Sequence, residues 1–135
     1  MTNMWIYKGK EITSIDQLPQ PSTPEGFVYY MENSKGDKYI GKKSFWSRLT
    51  LPPLKGKKRK RKVVKESNWL QYNSSNDVLK ESDIICKEIL EVCYSKLQLT
   101  YTEVKYQFLY NVLEEDDYLN NNILGKFYAD KINPS

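Results

Sequence analysis

The stretch that decides the fold is GFVYYMENSKGDKYIGKK, residues 26–43. β-forming residues fill Phe27–Glu32, and a second, shorter set fills Asp37–Ile40. The turn residues NSKGD join the two sets, and Gly36 is free to take a positive φ. This pattern predicts a β-hairpin whose second strand ends at Gly41.

Two tyrosines, Tyr29 and Tyr39, lie on the two predicted strands, ten residues apart. Alternation places residues an even number apart on one face of a strand, but facing across a hairpin depends on the register. Judged from the hairpin alone, aromatic packing is the more ordinary role for both side chains. A pair of phenol hydroxyls placed for chemistry is the alternative.

The composition is that of one soluble domain. The chain has 135 residues, 28% of them charged, and a mean hydropathy of −0.70. This length is enough to bury a core without disulfides. No apolar run is long enough to cross a bilayer, and residues 1–8 lack the apolar region of a signal peptide. We therefore expect a soluble cytoplasmic protein.

The chain has no histidine and two cysteines, Cys86 and Cys93. Their spacing fits no paired-cysteine motif, which argues against a zinc finger or a histidine-based zinc site. We expect both to be reduced, mostly buried thiols. Without histidine, any catalysis must use Tyr, Lys, Arg, Asp, Glu or Cys side chains.

The positive charge is concentrated in one short segment. Eight of the 21 cations, and no acid, lie in residues 55–65, whereas acids outnumber cations in the rest of the chain. This asymmetry favours an anionic polymer as partner, bound through phosphate contacts that set affinity rather than sequence preference. A solvated, disordered arm or a targeting signal is the ordinary alternative. The flanking tryptophans, Trp46 and Trp69, can either stack on bases or pack in the core.

Shorter elements are predicted around the hairpin. Residues 4–18 indicate a small strand-turn-strand arm, and residues 19–26 hold three prolines, which is typical of a linker. After the hairpin, one or two helical turns are expected from Ser44, stopped by Pro52 and Pro53. The basic segment that follows is expected to be an exposed loop or arm.

The second half of the chain predicts a short helix, a strand and a longer helix. Ser74 or Ser75 is the N-cap candidate for the short helix. Residues 84–95 are rich in β-branched and apolar residues and predict a buried third strand, with a helix as the alternative. Thr100 and Glu103 have the capping-box spacing, which places the start of the long helix at this point.

The long helix is expected to bury one apolar face. The residues that recur at helical spacing are Tyr101, Val104, Phe108 and Val112. Acidic residues at 114–117 are unfavourable at a helix C-terminus, so the helix should end before them. Glu103 has two possible roles at this stage, since a glutamate at the third helical position caps the helix without any metal.

The order of hairpin, short helix, basic arm, strand and long helix resembles the GIY-YIG nuclease superfamily. Phe27-Val28-Tyr29 stands where the family has glycine-isoleucine-tyrosine, and Tyr39-Ile40-Gly41 keeps the second motif intact. The run YIGKKSFWSR…PPLKGKKRKRKVVKESNW…YNSS is similar to small proteins of this superfamily that tailed bacteriophages encode and that are described as homing-endonuclease-like. The resemblance reaches from Trp5 to about Ile123.

The resemblance implies an α/β fold of the α+β type, in which a small three-stranded antiparallel sheet is flanked by helices. It implies an arm and linker at residues 1–25 and a nuclease domain at residues 26–135, with a basic insertion at about 55–65. The implied activity is hydrolysis of DNA phosphodiester bonds by a metal-dependent endonuclease that uses Mg²⁺ or Mn²⁺. The implied partner is double-stranded DNA, bound by a monomer or homodimer in the host bacterial cytoplasm.

The resemblance also carries residue roles onto matching positions. Glu103 would bind the metal, and Arg48, nine residues after Tyr39, would contact a phosphate from the helix that follows the second motif. Asn120 is the best candidate for the asparagine that many members have after the long helix. The DNA-binding residues would be Lys57, Lys58, Arg59, Lys60, Arg61, Lys62 and Trp69.

The proton chemistry is left open between neighbouring residues. Either Tyr29 or Tyr39 would take the proton from the attacking water, provided that nearby cations lower its pKa. Lys42 or Lys43 would assist as a cation or proton donor. A catalytically inactive DNA-binding protein on the same scaffold is the competing hypothesis, although the tyrosines, arginine and glutamate of an enzyme are all kept.

Overall fold

The structure is a computed structural model that describes residues 4–18 and 23–132. Residues 19–22 of the expected linker lie outside the described residues. In chain order the strands are β1 (Trp5–Tyr7), β2 (Lys10–Ile12), β3 (Gly26–Asn33), β4 (Lys38–Ser44), β5 (Trp46–Leu51), β6 (Arg61–Glu66), β7 (Ile84–Cys93), β8 (Asn122–Ile123) and β9 (Phe127–Tyr128). The helices are α1 (Asp77–Lys80), α2 (Lys96–Leu109) and α3 (Ala129–Ile132), with 3₁₀ turns at Ile15–Gln17 and Trp69–Gln71.

The predicted hairpin, β3 and β4, lies at one side of a five-stranded sheet of order β2-β1-β7-β3-β4. β3 is antiparallel to both β4 and β7, whereas β1 joins β7 in parallel. The α+β class is confirmed, but the prediction of three strands is wrong, because β1 and β2 extend the sheet. These are the two strands of the arm predicted at residues 4–18, and that prediction is confirmed. Their attachment to the sheet through β7 is a tertiary contact that has no local sequence signal. The domain boundary at residue 25 stays a prediction.

Alternation along β3 builds a hydrophobic cluster on each face of the sheet. One cluster contains Phe27, Tyr29 and Met31 together with Trp5, Phe45 and Trp69. The other contains Val28 and Ile40 together with Leu99 of α2, Val112 and Ile123. The sheet therefore has α2 on one side and the segment around α1 on the other, with β4 as an edge strand between them.

The hairpin itself follows the prediction except at its end. Gly36 has a φ of +88°, as the turn requires. Gly41 does not end the second strand, because pairing with β3 continues through Lys43 to Ser44, opposite Gly26. The chain then bends at Phe45, which is fully buried.

The helix expected from Ser44 is wrong, since residues 46–51 form strand β5. This strand pairs with β6 from Trp46↔Glu66 to Leu51↔Arg61, and an exposed loop, residues 52–60, connects the two. We call this two-stranded hairpin, residues 46–66, the basic ribbon. The basic segment is exposed as predicted, but its second half is ordered as a strand rather than a free arm.

Helix α2 begins earlier than the capping-box spacing at Thr100 predicts. Its N-cap is Ser95, whose side chain accepts a hydrogen bond from the Gln98 backbone N–H at 3.1 Å. Glu103 therefore lies inside the helix and does not cap it. This leaves its carboxylate free for another role.

The buried face of α2 matches the predicted one only in part: Val104 packs against the cluster that contains Val28, and Val112, just past the helix, is buried. Tyr101 and Phe108 are 69% and 49% exposed, while Leu99, Thr102 and Gln107 are buried. The helix ends at Leu109, before the acidic residues, as expected. The apolar pattern predicted burial of Tyr101 and Phe108 wrongly, because several large apolar side chains of α2 lie on its solvent-facing side.

Three further predictions concern the third strand, the N-cap of the short helix and the two cysteines. β7 confirms the third strand, and the N-cap of α1 is Asn76, whose side chain accepts from Leu79 N–H, rather than Ser74 or Ser75. Both cysteines are free thiols; Cys93 is buried and Cys86 is partly buried. None of the helices in residues 4–18 and 23–132 is long and apolar enough to cross a membrane.

Candidate active site

The register of the hairpin places the two motif tyrosines on one face. Tyr29 pairs with Gly41, and Tyr39 lies two residues before Gly41 on the same strand. The centroids of the two rings are 6.2 Å apart. Residues two apart on a strand share a face, so both hydroxyls belong to the same side of the sheet.

The two tyrosines differ in their surroundings. Tyr29 is 1% exposed, and its hydroxyl donates to the Ser74 hydroxyl at 3.3 Å. Burial is the main cause that raises the pKa of Tyr29 well above its ordinary value. Tyr39 is partly exposed; burial again raises its pKa, and the charge of Glu103 adds to the rise.

A polar cavity of about 410 Å³ lies against β4 and the first turns of α2. It brings together four of the residues predicted from the sequence: Tyr39, Lys42, Glu103 and Asn120. The side chains that complete its wall are mostly hydroxyls and amides. Tyr29 is not among the lining residues, because it lies deeper in the core.

Glu103 presents a carboxylate to this cavity. The side chain is half-buried, and it makes no hydrogen bond or ion pair with any other described residue. Burial raises the pKa of the Glu103 carboxyl, while the charge of Lys42 acts in the opposite direction. A carboxylate that is partly desolvated and has no protein partner is suited to a cation.

The chemistry of the surrounding groups fits a hard divalent cation that keeps most of its waters. No cluster of three or more His, Cys, Asp or Glu residues that could hold a metal is present in residues 4–18 and 23–132. Mg²⁺ is commonly bound through one or two carboxylates and several waters, so one glutamate suffices. The hydroxyls of Tyr39 and Thr100 and the side chain of Asn120 line the same cavity and can hydrogen-bond those waters.

The two lysines after the second motif point to different faces of β4. The Lys42 ammonium donates to the Thr100 hydroxyl at 2.8 Å, so the lysine is tied to α2 one turn before Glu103. The Lys43 ammonium lies 4.6 Å from the centre of the Tyr72 ring, and burial lowers its pKa. Lys42 is thus the lysine that borders the Glu103 cavity.

Arg48 lies on β5 rather than on a helix. Its guanidinium makes two hydrogen bonds to the Glu25 carboxylate, at 2.8 and 3.1 Å. The hydrogen bond to Glu25 is the main cause that raises the pKa of Arg48. Arg48 borders a second hollow, of about 490 Å³, whose wall also includes Lys42 and Thr100. The arginine is therefore near the cavity but held by an acid of its own chain.

Asn120 supports the second motif by holding its backbone. Its side-chain oxygen accepts from the Ile40 N–H at 3.1 Å, and its amide donates to the Ile40 carbonyl at 2.8 Å. Gln107 of α2 donates to the same carbonyl at 3.1 Å. These bonds satisfy the open side of an edge strand, so the two amides fix Tyr39 and Gly41 on either side of Ile40.

The family of the chain is shown by a match that covers most of its length. A family model described as "Putative endonuclease segE, GIY-YIG domain" matches residues 5–123. The chain belongs to this GIY-YIG family. No curated protein and no solved structure matches it.

Membership in this family supports a nuclease function, and a nuclease domain implies DNA as its substrate. The match to the GIY-YIG family spans β1 to β8, so it includes the N-terminal strands as well as the hairpin, the basic ribbon and the Glu103 cavity. The sequence-predicted residues of the cavity therefore all lie within the matched region. Their individual roles stay predictions.

The GIY-YIG domain has residues near the site that the sequence did not single out. Gln107 is four positions after Glu103 and shares its helical face, so the spacing could have identified it. The sequence indicates Thr100 only as a capping residue, and Glu25 has no sequence signal because its contact with Arg48 is tertiary.

One predicted DNA contact is wrong. Trp69 has no exposed surface, and its ring nitrogen donates to the Glu66 carboxylate at 2.7 Å. A ring inside the core has no free face on which a base can stack. The predicted DNA-binding cations, in contrast, are exposed: Lys57, Lys58, Arg59, Lys60, Arg61 and Lys62.

Proposed function

We propose that this protein is a metal-dependent DNA endonuclease that hydrolyses phosphodiester bonds at the cavity between β4 and α2. The observation that carries the proposal is the Glu103 carboxylate, which is half-buried, has no partner among the described residues and faces a polar cavity beside Tyr39 and Lys42. Family membership supports the nuclease class, and the cavity supports the place where the reaction occurs.

Glu103 would hold Mg²⁺ or Mn²⁺, and the bound ion would supply charge stabilisation for the phosphate and a water of lowered pKa. Lys42 borders the same cavity and carries a positive charge that can contact a phosphate oxygen. Its hydrogen bond to Thr100 holds the ammonium in place before substrate arrives. Electrostatic groups that are already oriented stabilise developing charge at low cost.

Tyr39 is the better candidate for the group that accepts the proton from water. It lines the cavity, whereas Tyr29 lies in the core and bonds to Ser74. The negative charge of Glu103 is one cause that raises the pKa of Tyr39. Neutralising that charge therefore makes it easier for the phenol to ionise and to act as the base. Tyr29 supports the reaction by packing against Tyr39.

The similarity to small phage-encoded proteins extends the proposal to a phage enzyme that acts in the host bacterial cytoplasm. A single cavity of this kind cuts one strand per event. A double-strand break then needs two sequential cuts or two chains on the DNA. The time course of nicked and linear plasmid separates these routes, because sequential cutting accumulates the nicked form first.

The test is cleavage of supercoiled plasmid with and without Mg²⁺ or Mn²⁺. We expect metal-dependent nicking by the wild type, loss of nicking in Glu103→Ala, and strongly reduced nicking in Lys42→Ala and Tyr39→Phe. Glu115→Ala, which changes an exposed glutamate after α2, is the matched control and should cut normally. A folded wild-type protein that binds DNA but never nicks it with either metal would show that the chain is a binding protein instead.

A further inference from the structure

The basic ribbon projects from the domain with both faces in solvent. Its strands pair over six residues each, yet its side chains are exposed or only partly buried on either face. The connecting loop, residues 52–60, is exposed throughout. An isolated two-stranded hairpin is marginal in water, so contacts at its base must help to order it.

The base of the ribbon is tied firmly to the catalytic sheet. Ser67 makes two hydrogen bonds of 2.7 Å, from its N–H to the Phe45 carbonyl and from its hydroxyl to the Ser44 carbonyl. The Trp46 ring nitrogen donates to the Pro24 carbonyl at 2.8 Å. Strand β5 continues from β4 with one residue between them, so the ribbon leaves the sheet close to Lys42.

The charge of the ribbon is uncompensated. The eight cations of residues 55–65 form no ion pair with any described residue. Three of them, Arg61, Lys62 and Lys65, lie on β6, and the others lie at the tip. A projecting element with this charge has an anionic polymer as its natural partner.

The shape of the ribbon favours a duplex over a single strand. Single-stranded nucleic acid is bound by stacking its bases on exposed aromatic rings. Residues 46–66 contain one aromatic residue, Trp46, which is partly buried at the base. The ribbon therefore offers cations and a narrow two-stranded backbone, but no stacking surface.

The dimensions of the basic ribbon fit the major groove of B-DNA better than the minor groove. The two strands lie about 4.8 Å apart, and six residues extend about 20 Å, which is the length of about six base pairs. The major groove of B-DNA is about 12 Å wide and admits a two-stranded β-ribbon, whereas the minor groove is about half as wide. We propose that the basic ribbon lies in the major groove of duplex DNA on one side of the cut, with the lysines of its tip on the flanking phosphates.

This inference rests on the proposed function, because it names the element that holds the substrate of the same site. It assigns the cavity to the chemistry and the ribbon to duplex binding at a fixed distance from the cut. The firm base makes that distance constant, so cleavage should fall on one side of the protected base pairs.

Two variants test the ribbon. In the first, residues 52–60 are replaced by Asn-Gly, because Leu51 and Arg61 are paired and a two-residue turn can join paired strands. In the second, Lys57, Lys58 and Lys60 become glutamine, which keeps the length. The matched control changes Lys8, Lys10 and Lys126, three exposed lysines elsewhere, to glutamine. Urea unfolding checks that each variant folds as the wild type does.

Binding is measured on a labelled duplex and on one strand of it, without metal, so that no cutting occurs. We expect both ribbon variants to bind the duplex about tenfold more weakly or worse, and the slope of log affinity against log salt to fall by about 0.9 for each phosphate that the variant no longer neutralises. The control should bind nearly as the wild type. Equal binding of the single strand, or unchanged duplex affinity in the ribbon variants, would overturn the inference.

Methylation of guanine N7, which lies in the major groove, tests the groove directly. We expect the wild type to protect guanines on one side of the cut, and the shortened ribbon to abolish that protection. Protection of adenine N3 in the minor groove instead would refute the major-groove assignment. Protected DNA that is never cut with metal overturns the proposed function alone, whereas normal cutting without ribbon-dependent protection overturns this inference alone.

Discussion

The ring of Tyr29 occupies the place where Gly41, its partner on the adjacent strand, would carry a side chain. A Cβ atom at Gly41 would lie 2.6 Å from the Tyr29 hydroxyl oxygen and 2.9 Å from the Tyr39 ring. The glycine of the second motif is therefore required by the two tyrosines and not by a turn. The same close contact packs the two tyrosine rings of the hairpin against the backbone of β4.

Gly41→Ala should destabilise the protein and displace both tyrosine rings. Forcing a methyl group into a packed site typically costs about 1–3 kcal/mol. We expect a lower urea midpoint and slower plasmid nicking. Ser34→Thr, which adds a methyl group at an exposed position in the turn between β3 and β4, is the control and should leave both unchanged. An unaltered midpoint in Gly41→Ala would mean that the rings move aside freely.

The two tyrosines should respond differently to loss of the hydroxyl. Tyr39→Phe should strongly reduce nicking with little effect on stability, because Tyr39 lines the cavity and is only partly buried. Tyr29→Phe removes a buried hydrogen bond to Ser74 and should cost about 0.5–1.5 kcal/mol while retaining measurable nicking. Nicking rates and urea midpoints of the two variants show which hydroxyl serves catalysis and which serves stability. The opposite pattern, with Tyr29→Phe inactive and Tyr39→Phe active, would make Tyr29 the proton acceptor.

Glu103 should lower stability in the absence of metal. Burial raises the pKa of its carboxyl above the ordinary value of 4.5, so the folded protein binds more protons than the unfolded chain between the two values. Stability contributed by this group is therefore lost as the pH rises through that interval. We expect Glu103→Gln to have a higher urea midpoint than the wild type at neutral pH, and the difference to vanish at pH values below 4.5.

Mg²⁺ adds a second measurement on the same variant. A ligand that binds only the folded state stabilises it, so Mg²⁺ should raise the wild-type midpoint and leave that of Glu103→Gln unchanged. Glu115→Gln, at an exposed position, should behave as the wild type. An equal Mg²⁺ response in Glu103→Gln would place the metal elsewhere.

The sequence predicted those elements whose signals are local. Gly36 and the residues around it are sufficient for the hairpin, and the apolar run of residues 84–95 is sufficient for β7. The helix expected at Ser44 failed because its residues suit a strand equally well, and their partner, β6, begins ten residues beyond Leu51. Propensity is a weak guide where a distant strand supplies the hydrogen bonds.

In the candidate site, too, the features with a local sequence signal could be predicted, and those that depend on tertiary contacts could not. Ser95 and Gln98 have the capping spacing too, and hydrogen bonds at the helix start selected them over Thr100 and Glu103. That choice frees Glu103, which the sequence left between two roles. Tyr39 and Glu103 meet in one cavity because of the hairpin register and the packing of α2. Local sequence patterns predict neither of these.

Asn120→Ala should weaken the edge of the sheet that carries the second motif. It removes two hydrogen bonds to the backbone of Ile40, whose carbonyl is shared with Gln107. The carbonyl keeps Gln107, but the Ile40 N–H loses its partner; a buried donor left unsatisfied costs about 1–3 kcal/mol, so the urea midpoint should fall. Asn121→Ala, one position away and exposed, is the control. Exchange of the Ile40 amide hydrogen should also accelerate in Asn120→Ala; an unchanged exchange rate would show that the contact does not hold the strand.

Arg48 and Glu25 provide a test of whether the arginine serves the substrate or the fold. A carboxylate and a phosphate fit the same planar guanidinium fork, so Glu25 occupies the place that a DNA phosphate would take. If Arg48 binds phosphate, Glu25→Gln should tighten DNA binding and Arg48→Ala should weaken it. If the pair only braces the base of the ribbon, both variants should weaken binding to a similar extent.

Duplex affinity of the two single variants and the double variant, with Glu81→Gln as a charge-matched control, distinguishes the two cases. We expect the first result, because Arg48 is exposed and borders the hollow that shares Lys42 with the Glu103 cavity.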